Sequence, residues 1–289
     1  MRLPEPPIVR GLPARPGTRK RSHGANAVIT GAGSGIGRAF ALELANRRSS
    51  VVVSDIDLAA AKRTAEQITL RGGSAHGVQC DVTSLAEVEQ LAAAAEEFFG
   101  GHANLVINNA GIGAGGTYVG ETDLGEWKRV LDVNLWGVIH GCHVFIPRLD
   151  PRGGVINVAS AASFGCLPGM AAYNASKAAV LAISETMAAE GVHTTVLCPT
   201  FVKTAIVERG EIPSATKDRA ANLMRVAGIS PDRIARNALD AHDRGHLHVV
   251  PQVEAQLIWR TKRLAPGIYT RAAGVAGRFL KTETAEDAS

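Results

Sequence analysis

The sequence predicts a doubly wound α/β fold, in which helices cover both faces of one seven-stranded parallel β-sheet. Three observations lead to this prediction. From residue 25 onward, short β-branched runs alternate with longer helical stretches, seven such runs follow one another without an internal repeat, and a glycine-rich turn separates the first strand from the first helix. Because no linker interrupts the series, we expect a single domain over residues 25–251.

The individual elements follow from this alternation. Strands are expected at residues 25–30, 50–54, 74–79, 104–108, 154–158, 194–199 and 247–250. Helices are expected at residues 36–47, 58–70, 85–99, 124–148, 173–189, about 204–226 and 232–244. The helix after the sixth strand, over about 204–226, would serve as a lid over the substrate.

Composition excludes several classes of protein. The 289 residues are 46% apolar, which is ample for a core, and the longest apolar runs are far shorter than the roughly 18–20 residues that cross a bilayer. The four cysteines lie far apart and the histidines lack metal-ligand spacing, so neither a disulfide framework nor a metal site is expected. The chain lacks the apolar stretch of a secretory signal, and the cytoplasm is the expected compartment.

The formal net charge of +4 comes from the two ends of the chain. Residues 1–24 carry six bases, one acid and five of the 13 prolines, and are expected to form a disordered basic arm. Residues 252–281 also carry six bases and one acid, whereas residues 25–251 carry 19 bases and 22 acids. Because no aromatic residues interleave the basic arm, nucleic-acid binding is not expected.

Residues 252–289 lie beyond the predicted domain and form a C-terminal helical extension with an acidic tail. Pro266-Gly267 separates two helical pieces, and Trp259 stands among bases in the first piece. The second piece has one apolar face, made by Ile268, Ala272, Val275, Ala276 and Phe279. We expect this basic amphipathic pair to pack against protein, with contact to an anionic membrane surface as the alternative.

The first predicted strand runs into a turn suited to a dinucleotide phosphate. Residues 30–37 read TGAGSGIG, which is the spacing TGxxxGxG. Glycines there allow the backbone to approach a pyrophosphate, whose charge is then stabilised by the amides of the helix N-terminus. The candidate phosphate-binding residues are Gly31, Ser34, Gly35, Ile36 and Gly37.

A carboxylate at the end of the second strand bears on the choice of dinucleotide. Asp55 would accept hydrogen bonds from the adenosine ribose and would repel a 2′-phosphate. Asp57 is expected to cap the following helix instead. Since neither Arg38 nor Arg47 stands where a phosphate clamp is expected, NAD is favoured over NADP.

Tyr173 and Lys177 lie four residues apart in a predicted helix and therefore share a face. A phenol with a pKa of about 10 is a poor base, but a cation within about 4–6 Å lowers that pKa by roughly 1–3 units. We expect Lys177, together with an oxidised nicotinamide, to supply this charge, so that Tyr173 acts as a general acid or base.

With these motifs, the sequence resembles the short-chain dehydrogenase/reductase family from about residue 25 to 204, and more loosely to residue 251. Six ordered matches carry the resemblance: the glycine turn, Asp81-Val82, Asn108-Asn109-Ala110-Gly111, Asn134, Ser160, and the pair Tyr173 and Lys177. The resemblance implies a compact Rossmann fold, a nicotinamide dinucleotide, and redox chemistry between an alcohol and a carbonyl.

The resemblance also implies roles for these residues. Ser160 would hold the substrate oxygen beside Tyr173, and Lys177 would bind the cofactor ribose. Asn134 would hold a water that relays protons, or would be a locally satisfied buried amide. Ser163 stands at the wrong interval from Tyr173 to replace Ser160. The implied cofactor contacts are Gly31, Ser34, Gly35, Ile36, Gly37, Asp55, Asp81, Val82, Asn108, Ala110, Gly111, Tyr173, Lys177, Pro199, Val202 and Thr204.

One position departs from the family pattern. After the sixth strand the family usually has Pro-Gly, whereas this chain has Pro199-Thr200. A backbone with positive φ at Thr200 would be strained. The nicotinamide contacts that the resemblance implies at Val202 and Thr204 depend on the backbone at this position.

The leading hypothesis is an NAD-dependent dehydrogenase that acts on a hydrophobic secondary alcohol or ketone, because residues 161–172 and the segment after Thr204 are rich in apolar side chains. An NADPH-dependent carbonyl reductase and a non-catalytic dinucleotide-binding protein are the alternatives. The family commonly pairs subunits through two long helices, here residues 124–148 and 173–189, so a homodimer or homotetramer is expected.

Overall fold

The computed structural model of the chain describes residues 20–200, 202 and 228–275. Most of the expected arm over residues 1–24 lies outside these residues. So do the expected lid over about 204–226 and the part of the extension beyond residue 275.

Seven parallel strands form one sheet in the described chain. They are β1 (Asn26–Ile29), β2 (Ser50–Asp55), β3 (Ser74–Gln79), β4 (Leu105–Asn108), β5 (Gly154–Val158), β6 (Thr194–Leu197) and β7 (His248–Val249). Their order is β3-β2-β1-β4-β5-β6-β7, which confirms the predicted doubly wound sheet. The order reverses between β1 and β4, and in such sheets ligands bind in the crevice outside the strand carboxyl ends at this point.

Helices connect the strands, and their bounds agree with the predicted ones to within a few residues. They are α1 (Gly35–Asn46), α2 (Leu58–Thr69), α3 (Leu85–Phe99), α4 (Leu124–Leu131), α5 (Gly137–Phe145), α6 (Ala162–Gly165), α7 (Ala171–Ala189), α8 (Pro231–Asp243), α9 (Val253–Leu264) and α10 (residues 266–275). The short helix α6 was not predicted, because four residues are too few to show a helical period.

The sheet is buried on both faces, as its β-branched runs predict. On one face Ala27 and Ile29 of β1 pack in the same cluster as Phe40 of α1 and Leu239 of α8. On the other face the intervening Val28 packs in a cluster that contains residues of α3 and α5. Helices on both sides therefore fix the strand ends from which the site is built.

The predicted helix over residues 124–148 is interrupted. A π-helical turn at Asp132–Trp136 separates α4 from α5, and a 3₁₀ turn follows at Ile146–Arg148. Within the described chain, Leu124–Arg148 is the one helix long and apolar enough to cross a membrane by length and composition. It is a core helix here, because α5 packs against α3 and β4 and a Cβ atom at Gly137 would lie 2.6 Å from the Val82 side chain.

Candidate active site

The turn between β1 and α1 has a backbone that requires glycine. Gly31 and Gly35 have φ angles of +63° and +56°, and a Cβ atom at Gly37 would lie 2.4 Å from the carbonyl oxygen of Gly31. Ser34 occupies the N-cap of α1 but its side chain caps no amide. The first-turn amides of α1 are thus left without a side-chain cap, which suits a phosphate group. Ile36, predicted with these residues, packs against the core.

Two residues that the sequence analysis did not select hold this turn against β4. The Thr30 hydroxyl accepts hydrogen bonds from the amides of Asn109 and Ala110, at 3.1 and 3.2 Å. The Asn109 side chain donates to the carbonyls of Thr30 and Gly31, at 2.9 and 3.1 Å. Both residues belong to motifs already recognised, so their positions were visible in the sequence, but their mutual contacts depend on the sheet order.

Asp55 lies at the carboxyl end of β2 and faces the same turn. It is 4% exposed, and its carboxylate accepts hydrogen bonds from the amides of Gly33 (2.9 Å) and Asp57 (3.1 Å). A Cβ atom at Gly33 would lie 2.8 Å from the Asp55 carboxylate, so Gly33 is a further positioning residue that the spacing did not reveal. Asp57 accepts from the amides of Ala59 and Ala60, which confirms its predicted role as a helix cap.

The two bases considered for a 2′-phosphate are engaged elsewhere. Arg38 donates to the side chain of Gln67 at 2.8 Å. Arg47 is buried in ion pairs with Glu43 and Asp240. Neither guanidinium is paired with Asp55 or directed to its carboxylate.

The adenine-side residues are placed by hydrogen bonds near the end of β3. Asp81 accepts from both the amide and the hydroxyl of Thr83, and the Val82 carbonyl contacts the ring of His140 at 2.9 Å. Asn108 is also a predicted cofactor contact. Its buried side chain points into the interior and donates to Asn157 at 2.9 Å, so only its main chain is left to face the crevice.

Ser160, Tyr173 and Lys177 come together beyond the carboxyl end of β5. A hydrogen bond joins the hydroxyls of Ser160 and Tyr173. The Lys177 ammonium donates to the Val158 carbonyl at 3.0 Å and lies 5.9 Å from the centroid of the Tyr173 ring. The predicted serine, tyrosine and lysine therefore form one constellation, although they come from β5 and α7.

Burial shifts the pKa values of this constellation. The charge of Lys177 is not among the influences on the Tyr173 pKa in the protein alone, and its action together with an oxidised nicotinamide stays a prediction. Burial raises the pKa of Tyr173 above its ordinary value, and the hydrogen bond with Ser160 only partly opposes this shift. Burial also lowers the pKa of Lys177 to about 8, against the opposing charge interaction with Cys198. The physical reason is that both groups are withdrawn from water, while the ammonium is directed at a carbonyl rather than at the phenol oxygen.

The π-helical turn places Asn134 behind this constellation. The Asn134 side chain accepts from the Ile112 amide at 2.8 Å and donates to the Ile112 carbonyl at 2.9 Å. It therefore fixes the segment that follows β4. A Cβ atom at Gly111 would lie 3.0 Å from the side-chain oxygen of Asn134 and 3.3 Å from the Lys177 ammonium, so a side chain at position 111 would crowd both groups.

The Ser163 side chain connects two helices and does not face the Tyr173 hydroxyl. Its hydroxyl donates to the main-chain carbonyl of Lys177 at 2.8 Å, which ties α6 to α7. Ser160, by contrast, accepts from the Ala162 amide at 3.1 Å and contacts the Tyr173 hydroxyl. The geometry thus distinguishes the two serines in the way that their spacing predicts.

The segment after β6 is described only in part. The Pro199 carbonyl accepts from the Ala161 amide at 2.8 Å, and Val202 is buried and pairs with Ile229 in an isolated parallel bridge. Thr200 is not among the residues with positive φ, so the expected strain does not arise. Thr204, a predicted cofactor contact, lies outside the described residues.

A glycine-rich turn before α1, a buried carboxylate at the end of β2 and a Ser-Tyr-Lys constellation lie on one doubly wound sheet, which is the arrangement of a dinucleotide-dependent oxidoreductase. The family model of the short chain dehydrogenases matches residues 25–212 of this chain. The chain therefore belongs to the short-chain dehydrogenase/reductase family, whose members use NAD or NADP and include enzymes that act on alcohols.

Similar proteins include several oxidoreductases. The probable oxidoreductase EphD of Mycobacterium bovis is 43% identical over 188 residues, which are 62% of this chain but only 31% of EphD. The putative oxidoreductase SadH of Mycobacterium tuberculosis is 33% identical, and the match covers 88% of this chain and 96% of SadH. The 1-deoxy-11-beta-hydroxypentalenate dehydrogenase of Streptomyces exfoliatus is 33% identical, with 83% of this chain and 90% of that protein covered.

A solved structure with the same fold contains a dinucleotide. It is a short chain dehydrogenase/reductase from Burkholderia phymatum in complex with NAD. Its sequence is 32% identical, its TM-score is 0.79, and the match covers 86% of this chain and 96% of that one.

Proposed function

We propose that this protein is an NAD-dependent dehydrogenase that interconverts a hydrophobic secondary alcohol and its ketone, with Tyr173 as the proton-transferring residue. The observation that carries the proposal is the contact of Ser160 with Tyr173, with Lys177 beside them, beyond the strand carboxyl ends. A family member that binds a dinucleotide without catalysis would not need three polar side chains converging there.

Each residue of the constellation has a separate task. The Ser160 hydroxyl binds the substrate oxygen and holds it within reach of the Tyr173 hydroxyl, which takes the proton of an alcohol or returns it to a ketone. Lys177, together with the positive charge of an oxidised nicotinamide, would favour the ionised phenol, and it is available to the cofactor ribose. The nicotinamide, when bound, accepts or gives the hydride.

The position of the Asn134 side-chain oxygen and the Lys177 ammonium on either side of the missing Gly111 side chain supports a role for Asn134 in this scheme. A water held between the Asn134 carbonyl oxygen and the Lys177 ammonium would connect that ammonium with solvent. Asn134 itself is satisfied by the main chain of Ile112, so it would act by holding the water and the segment in place.

An apolar substrate is supported by the described wall of the cleft. The segment between Ser160 and Tyr173 carries Leu167 and Met170, and Leu167 is 44% exposed. The relative from Streptomyces exfoliatus is named as a dehydrogenase of a hydroxypentalenate, which supports an alcohol as the substrate.

Replacement of the catalytic phenol tests the proposal. We expect Tyr173→Phe to reduce turnover of secondary alcohols with NAD by at least about 100-fold, because general acid–base catalysis is lost, and to leave the dissociation constant for NAD within a few-fold. Absorbance of the reduced cofactor measures turnover. Ser160→Ala should impair turnover and Ser163→Ala should not, so equal loss in both serine variants, or an active Tyr173→Phe variant, would contradict the proposed roles.

The preference for NAD is assigned to Asp55. Its buried carboxylate would accept from the ribose hydroxyls and would repel a 2′-phosphate, and the bases Arg38 and Arg47 are paired elsewhere. We expect wild-type protein to bind NAD at least about tenfold more tightly than NADP, and Asp55→Ala to remove this preference, as measured by fluorescence titration. Asp57→Ala is the control, since it removes a carboxylate two residues away. Tighter binding of NADP by the wild type would favour the alternative of an NADPH-dependent carbonyl reductase.

We also propose that α4, α5 and α7 pair two subunits as in other members of the family. Trp136 is 50% exposed and lies next to α5, where a partner would cover it. Light scattering that gave the mass of one chain at micromolar concentration would refute this pairing.

A further inference from the structure

The C-terminal helices α9 and α10 are fixed to the domain by one side. Ala255 of α9 is fully buried, and the ring of Trp259 lies 6.1 Å from that of Phe164 and 5.2 Å from that of His248. Trp259 is thus engaged by protein and is not free to act as the exposed aromatic anchor that the sequence suggested.

Two polar contacts attach the same side of the helices to the end of α6. The Lys262 ammonium donates to the Cys166 thiol at 2.7 Å, and the Tyr269 hydroxyl of α10 donates to the Gly165 carbonyl. The two contacts therefore fix which side of each helix faces the domain and which side faces away from it.

The opposite sides of α9 and α10 expose large apolar side chains. In α9 Val253, Leu257 and Leu264 are 74%, 65% and 86% exposed, and their spacing puts them within a narrow stripe of the helix. In α10 Ile268 and Val275 are 71% and 52% exposed, and Ala272 between them is also exposed. The predicted apolar face of the second piece is therefore turned away from the domain rather than packed on it. We call Val253, Leu257, Leu264, Ile268 and Val275 the outer apolar face.

Basic side chains accompany this face. Residues 252–275 contain four bases, Arg260, Lys262, Arg263 and Arg271, and a single acid, Glu254. The Glu254 carboxylate accepts from the Thr200 hydroxyl at 2.9 Å. Arg260 and Arg271 are exposed and lie on or beside the apolar stripes, where their long side chains can reach outward while the apolar groups are covered.

We propose that α9 and α10 bind the surface of an anionic lipid bilayer, with the outer apolar face seated at the boundary between headgroups and acyl chains and the exposed Arg260 and Arg271 on lipid phosphates. Charge complementarity selects this occupant: a stripe of aliphatic side chains among bases matches an anionic interface. A second copy of the same face, packed about a two-fold axis, would bring the bases of both copies together. Membrane binding does not depend on the proposed reaction.

The test is co-sedimentation of the full-length protein with vesicles. We expect binding to vesicles of phosphatidylcholine and phosphatidylglycerol at low salt, at least tenfold weaker binding in 0.5 M NaCl, and at least tenfold weaker binding to vesicles of phosphatidylcholine alone. Absence of binding to the anionic vesicles at low salt would overturn the proposal.

Two matched substitutions distinguish a specific effect of a charge in the outer apolar face from the general effect of adding a negative charge to the protein. Leu264→Glu introduces a charge into that face, whereas Leu70→Glu introduces the same charge at a leucine of equal exposure, 87% against 86%, at the end of α2. We expect at least tenfold weaker binding for Leu264→Glu and binding within twofold of wild type for Leu70→Glu. Equal effects of the two substitutions would contradict the proposal. So would a fall in particle mass on Leu264→Glu without any vesicle binding, which would identify a self-association surface.

Discussion

Burial has opposite consequences for the two ionisable groups at the centre of the site. It favours the neutral form of each, so the pKa of Tyr173 rises and that of Lys177 falls to about 8. Lys177 is only 3% exposed, and its ammonium has the Val158 carbonyl as its hydrogen-bond acceptor. Because the buried Lys177 ammonium is less well solvated than it would be in water, keeping it charged lowers the free energy of unfolding of the protein.

The stability of the protein should record this cost as a dependence on pH. A lysine whose pKa is lower in the folded protein binds fewer protons there than in the unfolded chain, so its destabilising effect is complete below about pH 8 and disappears toward pH 10.5. We expect the free energy of unfolding of the wild type, relative to Lys177→Met, to rise by about 3 kcal/mol across this range. Urea unfolding of both proteins between pH 7 and 10 measures the difference.

The comparison with Lys177→Met removes the contribution of Cys80 and Cys142, and it removes that of Cys198 except for the part due to its charge interaction with Lys177. Burial raises the pKa of Cys80 and Cys198 to about 12 and that of Cys142 to about 11, so these groups lower the stability of both proteins above about pH 9. A difference between the two proteins that stays constant with pH would show that Lys177 is not desolvated in the folded state.

Among the helices that follow β1, β2 and β3, only α1 lacks a side-chain cap at its N-terminus. Asp57 and Ser84 cap α2 and α3 through side-chain hydrogen bonds, whereas the Ser34 side chain makes none at α1. The uncapped amides of α1 follow the tight glycine turn, which Thr30 and Asn109 attach to the end of β4 by hydrogen bonds. The first turn of α1 is thus left without a side-chain cap at the crevice where the sheet order reverses, although α7 and α9 also begin without one.

Substitution of Gly37 tests this element. A Cβ atom there would lie 2.4 Å from the Asn109 side-chain nitrogen and the Gly31 carbonyl oxygen, so the turn must shift. We expect Gly37→Ala to lower the free energy of unfolding by about 1–3 kcal/mol and to weaken NAD binding more than tenfold, as measured by urea unfolding and fluorescence titration. Gly101→Ala, where a Cβ atom meets nothing within 4 Å, should change neither quantity.

At the scale of the whole molecule, a network of ion pairs around the buried Arg47 joins the start of the described chain to α1 and α8. The Arg47 guanidinium follows α1 and contacts Glu43 of that helix, Asp240 and Asp243 of α8, and the Ser22 hydroxyl before β1. Its side chain is 7% exposed and that of Asp243 is 5% exposed. Because α1 and α8 cover one face of the sheet, this network fixes the layer on which the β1 turn rests.

Removal of the Arg47 charge should leave the carboxylates of Glu43 and Asp243, which are 14% and 5% exposed, without their buried cation. We expect Arg47→Met to lower the free energy of unfolding by about 3–5 kcal/mol, as measured by urea unfolding. Arg63→Met is the matched control, since the Arg63 side chain is 63% exposed and lies 3.7 Å from Asp57, and it should cost less than about 1 kcal/mol. Similar losses for both variants would contradict a special role of the buried network.

Local sequence patterns determined the elements and the list of candidate residues. The β-branched runs, the glycine turn and the spacing of Ser160, Tyr173 and Lys177 each act over a few residues, so they could be interpreted without knowledge of the fold. The strand bounds at residues 74–79 and 154–158 agree fully with the prediction for this reason.

Only the tertiary structure decided how these residues act on one another. The contacts of Gly33 with Asp55 and of Thr30 with Asn109 join residues 22 and 79 positions apart, and they exist because β1 lies between β2 and β4. The inward direction of the Asn108 side chain and the raised pKa of Tyr173 follow from what surrounds each group. Desolvation and hydrogen bonding depend on neighbours in space, and those are set by the sheet order and the helix layers rather than by spacing along the chain.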